Sequence, residues 1–283
     1  LDARIRKSWL KNKTIISRIG GGDKSSYPIM ELGDEISILD DIFKGKHNFN
    51  KLLYKSNKPL FLLGKNIYSR KDYLGVIGRV REIAKKYKAY SSKWNGIGIL
   101  QTTANIVSGL EISFVPTAKS LDIDKIVDSV STGRIKLLWS LGRDDIDLKK
   151  CSDSLLIYQG HHGDKGAQLA DVILPGAAYT EKDGIYINTE GRIQKAYAAV
   201  PPPGNAKEDW KIIRAFSSYI NKPLPYNNLD SLRNRISKIN KNLINENYLL
   251  RAEINNIGDH KMALTKDSIS FEKINYFMSC PIS

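Results

Sequence analysis

Short apolar runs alternate with amphipathic stretches along most of this chain. Runs with the length and composition of buried strands occupy residues 14–20, 59–68, 96–102, 135–142, 154–160 and 170–175. Helical patterns lie between most of these runs, and strands that alternate with helices are typical of parallel βαβ units. The pattern therefore predicts an α/β fold with a Rossmann-like, mostly parallel sheet flanked by helices.

Apolar stripes predict helices over residues 69–87, 205–220 and 230–244. Ser69 is the expected N-cap of the first helix with Asp72 as its capping-box partner, and Asn205 and Glu208 take these places in the second. Residues 246–283 show little periodicity, which predicts a packed or draped tail. The side chains expected in the core are Val76, Ile77, Val80, Ile83, Ala84 and Tyr87, then Trp210, Ile213, Phe216 and Ile220, then Leu229, Leu232, Ile236, Ile239 and Leu243.

A β-hairpin is predicted between residues 181 and 194. Residues 185–188 alternate apolar and polar side chains, and residues 189–191 make a three-residue connection with Gly191 where a positive φ is cheapest. This loop length places Asn188 opposite Arg192, residue 187 opposite 193, and residue 186 opposite 194. One face then carries Ile185, Ile187 and Ile193, and the other carries Tyr186, Asn188, Arg192 and Gln194.

Spacing leaves two interpretations of the polar hairpin face open. A solvated face is common on antiparallel ribbons. A ligand or another subdomain could instead pack on it. Spacing alone favours the solvated face.

The composition excludes several classes of protein. The chain has 283 residues, 41% of them hydrophobic, which is enough for one large α/β domain or two smaller ones. Cys151 and Cys280 are the only cysteines and form no CxxC pair, so cysteine-ligated iron–sulfur clusters, structural zinc and a disulfide framework are excluded within this chain. A reducing compartment is therefore expected.

Neither a membrane span nor a secretory signal is predicted. No apolar run approaches the roughly 20 residues that a spanning helix needs. The first ten residues, LDARIRKSWL, lack the apolar core and cleavage site of a signal peptide. The chain begins without methionine, which is consistent with processing or with a longer parent protein.

The net charge of +14 first suggests nucleic acid or an anionic membrane surface as a partner. Lysines are, however, scattered beside Ile and Asn, as in KINKNLINENY at residues 238–248, and are not gathered with aromatic residues into a stripe. We therefore expect mostly solvated surface charge, in keeping with an AT-rich coding sequence. Nucleic-acid binding remains an alternative.

Glycine-bracketed segments offer two candidate sites. Gly20-Gly21-Gly22 follows a strand, but neither GxGxxG nor GxxxxGK[ST] is present, so a flexible βα connection is expected there. The segment GHHGDKG, residues 160–166, follows a strand where α/β proteins place ligands. Adjacent histidines such as His161 and His162 rarely chelate one ion, and Asp164 is expected to cap a helix, so a structural role is favoured.

Nucleophilic chemistry is not indicated. Cys151 lies beside Lys149 and Lys150, which could lower the pKa of its thiol, but the sequence suggests no histidine partner. The sequence around Cys280 does not indicate a nucleophile either. A GxSxG motif and a Ser-His-Asp arrangement are both absent.

The stretch from residue 158 to 217 carries a family resemblance. Its skeleton ADVILP…E…G…N.EGR.Q resembles the molybdopterin oxidoreductase superfamily. The same stretch is similar to one branch of this superfamily, the large iron–sulfur subunits of the peripheral arm of respiratory complex I (NADH:ubiquinone oxidoreductase). The segments that carry this similarity are GHHGDKGA, LPGAAYTEKDG, NTEGRIQ, AVPPPG and EDWKI. Weaker matches at ARIRKSW, YPIMELGDE, LGRDD and NYFMSCPIS extend the resemblance over nearly the whole chain.

The resemblance implies the carboxy-terminal part of such a subunit. It implies a molybdopterin oxidoreductase-like α/β domain over residues 1–226, incomplete at its N-terminal edge, with a β-hairpin insertion, and a helical extension plus tail over 227–283. The cysteine-rich part that carries [2Fe–2S] and [4Fe–4S] clusters is expected upstream or in a separate chain, with FMN in a neighbouring subunit. A split protein encoded in an AT-rich organellar genome would fit the composition.

The resemblance also implies a scaffold that has lost the molybdenum cofactor. It would dock the cluster-bearing half and other peripheral-arm subunits, on the matrix side of the mitochondrial inner membrane or the cytoplasmic face of a bacterial plasma membrane. No catalytic or metal-binding residue is expected in this chain. Remnants of a pterin-facing ribbon, now used for packing, would be Glu181, Gly184, Asn188, Glu190, Gly191, Arg192 and Gln194, with Asn188 and Arg192 making interior contacts.

Two alternatives belong to other classes. A fragment of an active molybdopterin oxidoreductase, similar to formate dehydrogenase, would bind pterin and molybdenum or tungsten. A free basic protein would bind DNA or RNA in a salt-sensitive manner.

Overall fold

The computed structural model describes residues 1–91, 93–101, 105–117, 120–143, 146–151, 153–250 and 253–269, and the side chain of Lys150 lies outside this description. Contacts divide the chain into two compact units. Within the described ranges, the first unit comprises residues up to 101 together with 253–269, and the second comprises 105–250. This division does not fall at residue 226, and the sequence-based domain boundary there stays a prediction.

The first unit begins with a helix and contains three short pairs of strands. Its elements are α1 (Asp2–Asn12), β1 (Ser17–Ile19), β2 (Met30–Gly33), α2 (Ile38–Lys44), α3 (Asn50–Lys55), β3 (Phe61–Leu63), a 3₁₀ turn (Lys65–Ser69), α4 (Tyr73–Lys86), β4 (Tyr90–Ser91), β5 (Trp94–Asn95) and β6 (Ile97–Ile99). The pairs β1–β2 and β3–β6 are parallel, and β4–β5 is antiparallel.

The core of the first unit forms around α4. All six side chains expected on the buried face of this helix are buried, which confirms its predicted apolar stripe. They pack with Ile36, Leu39 and Ile42 from the α2 region, Leu53 from α3 and Leu63 from β3.

Residues 253–269, here called the strap, return to the first unit and bind α4 through their main chain. The buried Arg81 guanidinium donates to the carbonyl oxygens of Asn255 at 3.0 Å and Ile257 at 2.8 Å, and contacts Nδ1 of His260 at 3.1 Å. Because a buried guanidinium without partners is costly, these hydrogen bonds hold the strap against the helix.

Asp72 holds the other end of the strap. Its buried carboxylate accepts hydrogen bonds from the backbone N–H of Thr265 at 2.8 Å, from the Thr265 hydroxyl at 3.0 Å, and from Arg70 Nε at 2.8 Å. Burial favours the neutral acid, but the hydrogen bonds from Arg70 and Thr265 outweigh burial and lower the pKa of Asp72 to about 2.

Glycines let the strap approach α4 closely. A Cβ atom on Gly78 would lie 2.5 Å from the carbonyl carbon of Asp259, and one on Gly75 would lie 3.2 Å from the carbonyl oxygen of Met262. The Asp259 N–H donates to the carbonyl of Leu74 at 2.8 Å. Backbone therefore packs directly on backbone along this helix face.

The second unit contains a parallel sheet, the hairpin and two longer helices. Its elements are α5 (Ile106–Glu111), α6 (Ile123–Ser131), β7 (Leu137–Leu141), a 3₁₀ turn (Leu148–Cys151), β8 (Leu155–Gly160), α7 (Lys165–Leu169), β9 (Val172–Pro175), β10 (Gly184–Ile187), β11 (Ile193–Ala196), α8 (Asp209–Tyr219), α9 (Leu229–Ile239) and a 3₁₀ turn (Lys241–Ile244). The sheet has the order β7-β8-β9 and is parallel throughout.

The predicted α/β class and its parallel strand pairing are confirmed. The parallel pairs lie in separate small sheets, β1–β2, β3–β6 and β7-β8-β9. No helix within the described ranges is both long and apolar enough to cross a bilayer.

Helix starts differ from the predictions in two places. Ser69 ends the 3₁₀ turn, and α4 starts at Tyr73 after Asp72, whose carboxylate binds the strap instead of a helix N-terminus. Asn205 is not an N-cap either, because α8 starts after Glu208. The third predicted helix is α9 followed by a 3₁₀ turn, and Ile239 on its expected core face is exposed.

The close contact between the strap and α4 predicts that a Gly→Ala substitution, which usually stabilises a helix, destabilises the protein here. Gly→Ala within a helix normally stabilises by about 1 kcal/mol. For Gly78→Ala we expect a loss of roughly 1–3 kcal/mol instead, because the added methyl group would displace strap backbone. Denaturant unfolding and hydrogen exchange at the amides of Asp259 and Thr265 measure the loss.

Gly109→Ala in α5 is the matched control, since a Cβ atom there meets nothing within 4 Å. It should be neutral or stabilising. Stabilisation by both substitutions would contradict the assigned strap packing.

Candidate functional site

A polar cluster around the buried Gln159 lies at the carboxyl end of β8. Gln159 is fully buried; its amide nitrogen donates to Asp209 Oδ1 at 2.9 Å, and its amide oxygen accepts from Trp139 Nε1 at 3.2 Å. Lys182 forms an ion pair with the other oxygen of Asp209. We call Trp139, Gln159, Lys182 and Asp209, together with the adjacent His161, the β8 edge cluster. It joins the sheet, the segment before β10 and the start of α8.

Asp164 acts as the predicted helix cap. Its Oδ1 accepts from the backbone N–H of Ala167 at 3.1 Å, at the start of α7. Its other oxygen accepts from the hydroxyl of Tyr158, a buried residue of β8. Both carboxylate oxygens of Asp164 are thus committed to structure, as the sequence suggests.

The rings of the two histidines contact each other at a tilt of 44°. The ring centroids of His161 and His162 are 4.3 Å apart. Among the described residues, no group of three or more His, Cys, Asp or Glu side chains is arranged to hold a metal ion. Burial, then His162 and Lys182, lower the pKa of His161, while the carboxylates of Asp209 and Glu181 act in the opposite direction.

Cys151 is a buried thiol and not an activated one. Burial, and then the carboxylate of Asp147, raise the pKa of its thiol. Desolvation therefore outweighs the decrease that neighbouring lysines could cause, in keeping with the absence of nucleophilic chemistry expected from the sequence. Cys280 lies outside the described residues.

The glycine run after β1 is packed by its own chain. Gly20 has φ of +87°, and a Cβ atom on it would lie 2.7 Å from Cβ of Ile269. The chain passes from β1 directly to β2 without a helix, so the expected βα connection is wrong there. Arg18, whose guanidinium packs over Gly22, is occupied by an ion pair with Glu31.

The hairpin has the predicted register. Residue 184 pairs with 196, 185 with 195, 186 with 194 and 187 with 193, and Gly191 takes φ of +87° in the turn. Ile187 and Ile193 are buried against Leu243, with Ile185 packed beside them. The apolar face and the three-residue connection are confirmed.

Polar groups of the turn are satisfied within the chain. The Asn188 side-chain oxygen accepts from the backbone N–H groups of Glu190 at 3.1 Å and Arg192 at 2.9 Å. Arg192 binds the Glu190 carboxylate at 2.6 Å and the carbonyl of Asn247 at 3.3 Å. Asn188 and Arg192 are half-buried and paired within the chain, and their interior contacts with another protein stay a prediction.

The hairpin residues do not fit a pterin. Asn188 and Arg192, the polar groups best placed to bind one, are engaged by the turn itself, and Glu181 accepts from the backbone N–H of Ala178 at 2.9 Å. Gly184 and Gly191 face the Tyr186 ring and the Leu250 carbonyl, where Cβ atoms would come within 2.7 Å and 2.8 Å. Gln194 is exposed.

Sequence reasoning did not assign the β8 edge cluster. Gln159 and Asp209 are 50 positions apart, and no periodicity connects them. Both lie within residues 158–217, so the family resemblance of that stretch is the only signal that could have pointed to them.

Comparisons with known proteins agree on one family. Residues 1–219 match the family model described as molybdopterin oxidoreductase. The chain is 38% identical over 256 residues to the NADH-ubiquinone oxidoreductase 75 kDa subunit of Reclinomonas americana, covering 90% of this chain and 36% of that protein. It is 38% identical over 262 residues to the mitochondrial 78 kDa subunit of NADH-ubiquinone oxidoreductase from Candida albicans, with 91% and 35% covered.

A bacterial relative extends over the whole chain. This relative, a subunit of the NADH-quinone oxidoreductase of Rickettsia conorii, is 36% identical over 290 residues, covering 100% of this chain and 40% of that protein. These names confirm the resemblance drawn from residues 158–217. The chain spans well under half the length of these relatives.

The lowered pKa of His161 means that protonation of this one residue opposes folding of the second unit. A folded-state pKa below the ordinary 6.5 means that the unfolded chain binds more protons, so stability is lost as the pH falls below that value. We expect His161 to titrate below 6.5 in an NMR titration. Lys182→Met should raise this pKa because it removes a cation, and Asp209→Asn should lower it. Shifts in the reverse directions would contradict the geometry of the β8 edge cluster.

Proposed function

We propose that this chain, which belongs to the molybdopterin oxidoreductase family, is part of a respiratory NADH:ubiquinone oxidoreductase, complex I, and serves there as a scaffold. The observation that carries the proposal is similarity to subunits of that enzyme over 90% or more of the chain. Because the chain spans at most 40% of those subunits, the activity of the whole enzyme is assigned to it only as a contribution within the complex.

The scaffold role is supported by the chemistry of the candidate sites. Gln159, Asp209 and Lys182 satisfy one another, and Asp164 caps a helix, so these polar groups hold elements together. Cys151 is buried with a raised pKa, which disfavours the reactive thiolate. No catalytic residue and no metal ligand is proposed for this chain.

The hairpin is proposed to be a vestigial pterin-facing ribbon that now packs against protein. Its skeleton is Glu181, Gly184, Asn188, Glu190, Gly191, Arg192 and Gln194. In support, the apolar face is already buried against Leu243, and the side chains of Asn188 and Arg192 stabilise the turn. Gln194 and Glu190 remain exposed and are available to a protein neighbour.

Electron transfer is assigned to partners. We place the [2Fe–2S] and [4Fe–4S] clusters in the cysteine-rich half, carried on the same polypeptide or on a separate chain, and FMN in a neighbouring subunit. The pair Cys151 and Cys280 is too few for a four-thiolate cluster. The proposed location is the matrix side of the mitochondrial inner membrane, as a peripheral part, or the cytoplasmic face of a bacterial plasma membrane.

Purification of the native complex in mild detergent tests the proposal. We expect mass spectrometry to identify flavin- and cluster-bearing subunits of NADH:ubiquinone oxidoreductase with the tagged chain, in a preparation that oxidises NADH. Elemental analysis should give iron without stoichiometric molybdenum or tungsten.

Other outcomes favour the alternatives. Stoichiometric molybdenum or tungsten would replace the scaffold with an active molybdopterin oxidoreductase of the formate dehydrogenase kind. A chain that purifies without respiratory subunits and binds DNA or RNA in a salt-sensitive manner would be a free nucleic-acid-binding protein.

A further inference from the structure

Helix α1 lacks the packing that a helix of its length needs. It has eleven residues, and none of them is buried. Isolated helices shorter than about 12–15 residues are marginal in water, and most helical stability in proteins comes from an apolar face packed on a core. The attachments of α1 include a hydrogen bond from the Tyr27 hydroxyl to Asp2 at 2.6 Å and the contact of Ser8 with Thr14 at 2.7 Å.

The two sides of α1 differ in their surroundings. Ile5, Ser8 and Trp9, at helical spacing, are half-buried and form the more enclosed side of the helix. The opposite side carries Ala3 and Leu10, and Leu10 is 50% exposed. An unfilled apolar strip therefore runs along the outer side of the helix.

This outer side borders an open cleft with a basic rim. The cleft has a volume of about 340 Å³, a size that can accommodate several side chains. Its lining combines the two apolar residues of α1 with three cations, and the one acidic residue, Asp2, is already bound by Tyr27. The full lining is Asp2, Ala3, Arg6, Lys7, Leu10, Lys11 and Ser26.

The chemistry of the cleft selects among possible occupants. A membrane-bound helix presents a broad face of large apolar residues, whereas the outer side of α1 offers only Ala3 and Leu10. Single-stranded nucleic acid is usually bound by aromatic residues that stack on the bases beside the cations, and the aromatic residue of α1, Trp9, is half-buried away from the cleft. A concave apolar strip with a cationic rim matches an acidic protein segment that inserts an apolar side chain.

We propose that the α1 cleft docks an acidic segment of the iron–sulfur-bearing partner. This inference rests on the proposed function, from which it takes the identity of the partner. Charge complementarity supports it, because three cations line the cleft and its one carboxylate, Asp2, is already bound by Tyr27. The relatives contain further polypeptide beyond the matched part, since this chain spans at most 40% of their length.

Charge reversal on the tagged chain, purified as its native complex, tests the proposal. The variant Arg6→Glu, Lys7→Glu, Lys11→Glu should retain about tenfold less of the cluster-bearing subunit, because each rim ion pair becomes a repulsion. A second variant with Gln at the same positions keeps good helix formers and should show a smaller loss. Circular dichroism verifies that both variants fold.

The matched control carries the same change of charge on another exposed surface. Arg235→Glu, Lys238→Glu, Lys241→Glu places it on α9 and the turn that follows, where all three side chains are exposed. This variant should retain the partner at the level of the unmodified chain. Equal retention by the α1 and α9 variants overturns the α1 proposal and leaves the proposed function standing.

Zero-length carbodiimide crosslinking locates the contact. It should join the amines of Lys7 or Lys11 to Asp or Glu side chains of the identified cluster-bearing chain. Crosslinks to a second copy of this chain, or α1-dependent binding to phosphatidylserine vesicles in place of the partner, overturn the proposal. An unmodified chain that retains no respiratory subunit overturns both the proposal and the function on which it rests.

Discussion

The buried guanidinium of Arg81 is the contact on which the first unit depends. The guanidinium donates hydrogen bonds to the carbonyl oxygens of residues 255 and 257. These residues belong to a segment more than 170 positions later in the chain. Without these hydrogen bonds the buried guanidinium would keep its ion pair with Glu82 but lose its strap acceptors, and each lost hydrogen bond to the charged group would cost roughly 1.5–3 kcal/mol. The first unit therefore closes only after the chain has passed through the whole second unit.

Features that depend on residues close together in the chain could be predicted from the sequence. The hairpin register follows from a three-residue turn and from isoleucines that must share one face, and the structure has that register. The buried side of α4 follows from spacing at 3.6 residues per turn. Asp164 was recognisable as a cap because its acceptor lies only three residues from the donor N–H.

Long-range contacts explain what the sequence could not predict. Asp72 looked like a capping residue, but its carboxylate binds Thr265, 193 positions away. The strap has no periodicity because its main chain makes the decisive contacts, so the sequence showed only an irregular tail. The β8 edge cluster is similar, since Gln159 and Asp209 meet only when α8 packs near the end of β8. The lysines beside Cys151 could have lowered the pKa of its thiol, but burial, which adjacent residues do not reveal, raises it.

The glycine face of α4 has a consequence for how the sequence can drift. Arg81 and Asp72 bind mainly backbone groups of the strap, and Gly78 leaves room for backbone alone. Side chains along the strap that point to solvent, such as Lys261, contribute little to this recognition. Substitutions at the exposed positions of the strap should accumulate with little effect on stability, whereas the helix beneath it, and strap side chains packed on the core such as Ile257 and Leu264, tolerate few. The strap and α4 would thus evolve at different rates although they are in contact. A sequence comparison alone would underestimate how much the more variable strap contributes to the fold.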